Sequence, residues 1–86
     1  MNINELIAIV KNKLKKNVMI ENVKIEDKSF LHKKHHGHQE GKFHLKITIQ
    51  SNDLKKLDRI ESNKKIYKIL DEEIKNYIHS IQILVI

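Results

Sequence analysis

Apolar residues near the start of the chain recur at intervals of three and four, which is the spacing of one stripe along an α-helix. The stripe consists of Ile3, Leu6, Ile7, Val10 and Leu14. Asn2, followed by Glu5 three positions later, resembles a capping box at a first helical turn. The pattern therefore predicts a helix from about Ile3 to Lys15.

Two later segments alternate between apolar and polar residues, which is typical of half-buried β-strands. In VKIED, Val23 and Ile25 alternate with charged residues. In FHLKITIQ, residues 43–50, Phe43 and every second residue after it are apolar, and His44 lies on the opposite, polar side. We interpret His44 as structural or exposed. Between the two predicted strands, a segment of about residues 28–42 has no sustained apolar period, which predicts a long loop.

Beyond residue 50 the apolar spacing becomes helical again. Ser51 or Asn52 can cap a helical region, and the acidic residues from Asp71 indicate a second helix start, since they favour the positive end of a helix dipole. The apolar positions of this region are Leu54, Leu57, Ile60, Ile66, Tyr67, Leu70, Ile74, Tyr77 and Ile78. The final HSIQILVI alternates once more and predicts a last strand, in which His79 shares the parity of the apolar Ile81, Ile83 and Val85. From the residues alone, that parity favours a partly buried structural histidine.

The predicted order of elements is helix, strand, strand, helix, helix, strand, or αββααβ. The two helices before the last strand form a crossover long enough for that strand to lie parallel to a neighbour. We therefore predict a single α+β domain over residues 1–86, with a three-stranded mixed sheet and helices packed on one face. Its His-rich loop, about residues 28–42, connects the first two strands.

The chain carries a formal net charge of +6, and Arg59 is its one arginine among 17 basic residues. Such a charge fits either a solvated surface or a nucleic-acid patch, although lysine lacks the bidentate geometry with which arginine holds phosphates. No apolar run approaches the roughly eighteen residues of a membrane span, and no secretory leader is recognisable. We expect no membrane association and a cytoplasmic location.

Five of the six histidines lie between His32 and His44, and the sixth is His79. Two imidazoles can replace two thiolates around a [2Fe–2S] cluster, as they do in Rieske centres. This chain has no cysteine, so it could supply only part of such a shell, and a partner would have to supply thiolates. Two other interpretations stay open for the loop: solvated histidines, or a His-rich tract that binds zinc or nickel without a partner.

The motifs of common enzyme classes are absent from the sequence. It has no cysteine nucleophile, no Gly-rich phosphate loop and no HExxH pair. Ser29 and Ser51 lie near histidines in sequence, but spacing alone does not make a catalytic triad. We predict that the protein is not an enzyme.

The element order and several short segments resemble the BolA-like protein family, whose fold is related to the class II KH fold. The matching segments are EDKSFLHKKHHGH, FHLKITIQS, IYKILDEE and IHSIQI, and the similarity covers essentially the whole chain, from the first helix to the last strand. Where the family commonly has Phe-x-Gly and later Arg-His-Arg, this chain has Leu54, Lys56 and SNK at residues 62–64. Gly37 and Gly41 do not form the GxxG loop with which KH domains clamp nucleic acid. These departures weaken a nucleic-acid role.

The resemblance implies a non-enzymatic adaptor in iron–sulfur cluster assembly or trafficking and iron homeostasis. Such a protein shares a [2Fe–2S] cluster with a monothiol glutaredoxin and glutathione in a heterodimer; when isolated, we expect a monomer without a cofactor. His79 matches the family's ligand position, and His35 and His38 match its loop histidines best, with His36 and His32 as reserves. The alternative is a KH-like DNA-binding transcriptional regulator that binds DNA weakly.

Overall fold

The structure, a computed structural model, describes residues 1–29 and 42–86. The elements in this part of the chain are α1 (Ile3–Asn17), β1 (Asn22–Asp27), β2 (Phe43–Gln50), α2 (Asn52–Lys55), α3 (Arg59–Ile69), α4 (Asp71–Asn76) and β3 (Ile78–Val85). The strands form one mixed sheet in the order β1-β2-β3, in which β2 pairs antiparallel with β1 and parallel with β3. The predicted α+β class and three-stranded mixed sheet are confirmed.

Helix α1 begins where the capping pattern predicts. The Asn2 side chain accepts a hydrogen bond from the backbone N–H of Glu5 at 2.8 Å, and its amide donates to the Glu5 carboxylate at 2.9 Å. The helix ends at Asn17, two residues beyond the prediction, with Lys15 and Lys16 in a last turn where the dipole favours cations. Among the described helices, none combines the length and the apolar character that crossing a bilayer requires.

The chain after β2 contains three helices where the sequence predicted two, so the predicted order αββααβ becomes αββαααβ. Ser51 caps the short α2, and Asp58 caps α3 by accepting a hydrogen bond from the backbone N–H of Glu61 at 2.8 Å. The break between α2 and α3 moves Leu57 and Ile60 out of the predicted apolar stripe, and they are 40% and 67% exposed. The predicted helix start at Asp71 is confirmed as the start of α4.

The hydrophobic core lies between the helices and one face of the sheet. The predicted alternation of β2 is confirmed, because Leu45, Ile47 and Ile49 are buried. They pack in one cluster with the buried stripe of α1 and with apolar residues of the later helices, including Leu6, Val10, Leu14, Leu54, Ile66 and Leu70. The opposite face of β2 carries His44, and this face holds the candidate site.

Lys13 ties α1 to α4 through ion pairs with Glu73 and, at 3.6 Å, with Glu72. The Lys13 Nζ lies 2.6 and 2.9 Å from the two carboxylate oxygens of Glu73, which is itself buried. The hydrogen bond to Glu73 raises the pKa of Lys13 above its usual value. Because a buried carboxylate without a partner is costly, the ion pair with Lys13 stabilises Glu73 in its buried position.

Candidate functional site

The site is built where β2 and β3 begin. Parallel strands start at the same edge of a sheet, so His44, the second residue of β2, and His79, the second residue of β3, lie close together. The register shifts at this point: Phe43 pairs with Ile78, but His44 pairs with Ser80. Strand β3 therefore has one residue more than β2 here, and His79 and Ser80 together oppose His44 in a β-bulge.

The bulge decides how His79 is presented. In an uninterrupted strand, His79 would share the core-facing side of Ile81 and Ile83, which is the basis of its interpretation as a partly buried histidine. That interpretation is wrong. The extra residue breaks the alternation, and His79 is exposed while Ile81 and Ile83 pack against the core. An exposed imidazole at a bulge is accessible to a ligand or a partner.

His44 is the second imidazole of the site. It is only 5% exposed, so the interpretation of His44 as exposed is wrong. Its Nδ1 lies 2.6 Å from the Ser80 Oγ, and its ring centroid lies 4.9 Å from that of His79 at an interplanar angle of 55°. Sequence reasoning missed this pairing, although the matching second positions of two parallel strands were a signal for it.

The end of β1 is tied to the same place. The backbone N–H of His44 donates to the Ser29 Oγ at 3.1 Å, and the backbone N–H of Lys28 donates to the His44 carbonyl at 2.7 Å. The Asp27 carboxylate in turn accepts a hydrogen bond from the backbone N–H of Ser29 at 2.9 Å. The chain therefore enters residues 30–41 beside His44. The predicted loop ligands lie outside the described residues: His32, His35, His36 and His38.

Ser29 and Lys42, which flank residues 30–41 and form the stem of the histidine-rich segment, have charged neighbours. The Lys28 Nζ lies 2.9 Å from a Glu26 carboxylate oxygen, and this hydrogen bond lowers the pKa of Glu26 below its usual value. On the other side of the stem, the Lys42 Nζ donates to the backbone carbonyl of Lys75 at 3.4 Å. The carboxylate of Glu26 is thus paired with a lysine, whereas the imidazole of His79 at the bulge is exposed.

The donor set of the described residues suits one ligand position of a larger shell. Within residues 1–29 and 42–86, no three histidine, aspartate or glutamate side chains are grouped so that they could hold a metal ion. A [2Fe–2S] cluster accepts imidazole in place of thiolate, so the exposed His79 fits one such position. Completing a shell would need ligands from residues 30–41 and from another molecule.

Comparison with known proteins gives two matches in sequence. A sequence model described as BolA-like protein matches residues 14–86. A relative in Haemophilus influenzae, named DNA-binding transcriptional regulator BolA, is 30% identical over 73 residues. That alignment covers 85% of this chain and 68% of the relative.

Solved structures match the fold over nearly the whole chain. The BolA domain of SufE1 from Arabidopsis thaliana superposes with a TM-score of 0.77 at 22% identity, covering 99% of this chain and 92% of that domain. BolA1 from the same plant gives a TM-score of 0.74 at 23% identity, covering 91% of this chain and 86% of its own. At these identities the likeness concerns the fold alone.

Proposed function

This chain belongs to the BolA-like protein family, and we propose that it is a non-enzymatic adaptor that shares a [2Fe–2S] cluster with a monothiol glutaredoxin. In this role the cluster is cargo: the protein receives it or passes it on in cluster assembly, trafficking or iron homeostasis. The partner and glutathione supply thiolates, and this chain supplies imidazoles. His79 is one ligand, and His35 or His38 is the second, with His36 and His32 as substitutes.

The observation that carries this proposal is the exposed imidazole of His79 at the β-bulge, next to the stem of the histidine-rich segment. Ser29 is bonded to the His44 backbone, and the His44 ring lies against His79, so the segment leaves the sheet close to His79. The nearest candidates in sequence are only a few residues from the described stem residues Ser29 and Lys42. A chain without cysteine also fits a shared site better than a complete one.

In this proposal some residues of this chain ligate the cluster and others hold the ligands in place. His79 presents a donor nitrogen to the outside, and a histidine of the segment presents the other. His44 and Ser80 hold the sheet side of the site. When bound, the cluster would link the two proteins, because its iron atoms would take ligands from both.

Reconstitution with a monothiol glutaredoxin tests the proposal. Adding the protein to the cluster-loaded glutaredoxin homodimer should give a one-to-one complex, with new visible circular dichroism and a new electron paramagnetic resonance signal after reduction, because imidazoles replace thiolates. The pair His35→Ala with His38→Ala should lose more of this new signal than either change alone, since a neighbouring imidazole can substitute. A spectrum that stays that of the glutaredoxin homodimer would refute the proposal.

A second candidate function is DNA binding, and the distribution of charge favours it. Helices α1 and α3 each carry four basic residues and one acidic residue, and they pack side by side. The hollow between them is lined by Lys13, Asn17, Lys65, Lys68 and Ile69. A basic surface of this kind attracts a phosphate backbone, and the relative in Haemophilus influenzae bears the name of a DNA-binding regulator.

Salt dependence separates DNA binding from surface charge alone. The affinity for a labelled duplex, followed by fluorescence anisotropy, should fall steeply between low and moderate salt if several phosphates are neutralised. Changing Lys65 and Lys68 to glutamate should remove most of that binding, while the matched pair Lys24→Glu with Lys46→Glu on the sheet should remove less. Equal losses for the two pairs, or no preference among duplex sequences, would contradict a regulatory role.

A further inference from the structure

The buried imidazole of His44 has no part in the hydrophobic core, because it lies on the face of β2 opposite Leu45 and Ile47. A polar ring at 5% exposure on that face is unusual unless its nitrogens are engaged. The Nδ1 of His44 is engaged at 2.6 Å with the hydroxyl of Ser80. Ser80 therefore fixes the orientation of a ring that the core does not require.

We propose that His44 is a positioning residue, which holds the ring of His79 in the orientation that a metal ligand needs. This inference rests on the proposed function, in which His79 is the ligand. The ring centroids lie 4.9 Å apart at 55°, so the two side chains are in contact and tilted. The bulge makes this contact possible because it directs both His79 and Ser80 at the single opposing residue, His44.

The orientation matters because an exposed histidine on an edge strand otherwise samples several rotamers. Ligation selects one of them, and a ring already held in place loses less freedom when it binds. Residues that orient a metal-ligating histidine typically change metal affinity by about ten- to a hundred-fold when they are mutated. His44 is placed to act in this way on His79, with Ser80 holding His44.

His44 also joins the two halves of the proposed site. Its backbone N–H is bonded to Ser29 and its carbonyl accepts the N–H of Lys28, so the stem of the histidine-rich segment is fixed to the same residue whose ring contacts His79. The backbone bonds survive a change of side chain, whereas the ring contact and the Ser80 bond do not. Side-chain substitutions at His44 and Ser80 therefore test the positioning role while these backbone bonds stay in place.

The test uses Ser80→Ala and His44→Phe, with Ser62→Ala as the matched control. Ser80 is exposed, so its hydroxyl can be removed without disturbing the core, and phenylalanine keeps a ring at position 44 but lacks the nitrogen. Ser62 is a buried serine in α3 whose hydroxyl bonds the Arg59 carbonyl at 3.1 Å, away from the site. Two quantities are measured: the His79 rotamer distribution in the protein alone, from three-bond couplings in histidine-labelled samples, and retention of the shared cluster against a chelator.

Ser80→Ala and His44→Phe should each broaden the rotamer distribution of His79 and weaken cluster retention about tenfold or more, while Ser62→Ala changes neither. An unchanged distribution with unchanged retention overturns the inference. Loss of the cluster in His44→Phe as complete as in His79→Ala, with Ser80→Ala unchanged, would make His44 a ligand and also overturn it. If His79→Ala keeps the wild-type heterodimer spectrum, the assignment of His79 as a ligand in the proposed function fails, and the rotamers of the protein alone still decide whether His44 orients His79.

Discussion

Replacing His79 with alanine tests the proposed ligation separately from folding. His79 is exposed and lies in the bulge, while its neighbour Ile78 is buried at 2% exposure. The contact that His79→Ala removes is the tilted pairing with His44. An aromatic pair contributes about 0.5–1.5 kcal/mol when well packed, and the exposure of His79 places this one near the lower end.

The expected loss of stability is therefore below about 1 kcal/mol, which in a domain of this size lowers the melting temperature by no more than about 4–8 °C. Ile78→Ala, one residue earlier, should cost about 2–5 kcal/mol because it opens a cavity in the core. Thermal unfolding followed by far-ultraviolet circular dichroism gives both values. The visible spectrum of the complex with glutaredoxin, measured on the same samples, should show that His79→Ala has lost the mixed-ligand cluster.

The opposite pattern would refute the reasoning. If His79→Ala unfolds as early as Ile78→Ala but keeps the wild-type heterodimer spectrum, then His79 is a structural residue and not a ligand. A His79→Ala protein with normal stability and a normal cluster would show that the ligand lies elsewhere in the chain.

Three further outcomes are expected. The hydrogen bond with Glu73 raises the pKa of Lys13 in the folded state, so the pair stabilises the fold below the unfolded pKa of Lys13, and this stability is lost as the pH rises through the folded value. The urea midpoint of the wild type should therefore be lower above about pH 10.5 than near neutral pH. The midpoint of Lys13→Gln, which is less stable at neutral pH, should stay nearly level between the two. Asp58→Ala removes the cap of α3 and should lower the free energy of unfolding by about 1 kcal/mol in denaturant titrations. An unchanged free energy of unfolding would show that the cap does not stabilise the fold. Calorimetric titration of the isolated protein with zinc should show weak binding, as expected for a site that a partner completes. Tight binding would instead favour a metal buffer.

Much of the fold was predictable because local rules decided it. The alternation in β2 and the cap at Asn2 depend on neighbours along the chain, and both are confirmed. The break before α3 was also a local feature that the prediction missed, since Asp58 with Glu61 three residues later is a helix-start signal. Leu57 and Ile60 fitted a helical spacing by chance across that break.

The candidate site was less predictable because it depends on pairing between distant strands. The exposure of His79 and the burial of His44 both follow from the register of β3 on β2, which parity within one strand cannot reveal. The family resemblance indicated His79 as a ligand, but it gave no place to His44 or Ser80. The assignment among His32, His35, His36 and His38 stays a prediction, since these residues lie outside the described part of the chain.

The bulge at His79 has a consequence for how such a site can arise and disappear in evolution. Deleting His79 would leave Ser80 opposite His44, and every later pair, from Leu45 with Ile81 onward, would keep its present partner. An insertion of one residue into a regular strand is thus sufficient to create an exposed ligand position without altering a core contact. Under the proposed role of His79, selection on cluster binding can therefore act at this position almost independently of selection on folding, and a lineage that no longer uses that ligand can lose it in one step.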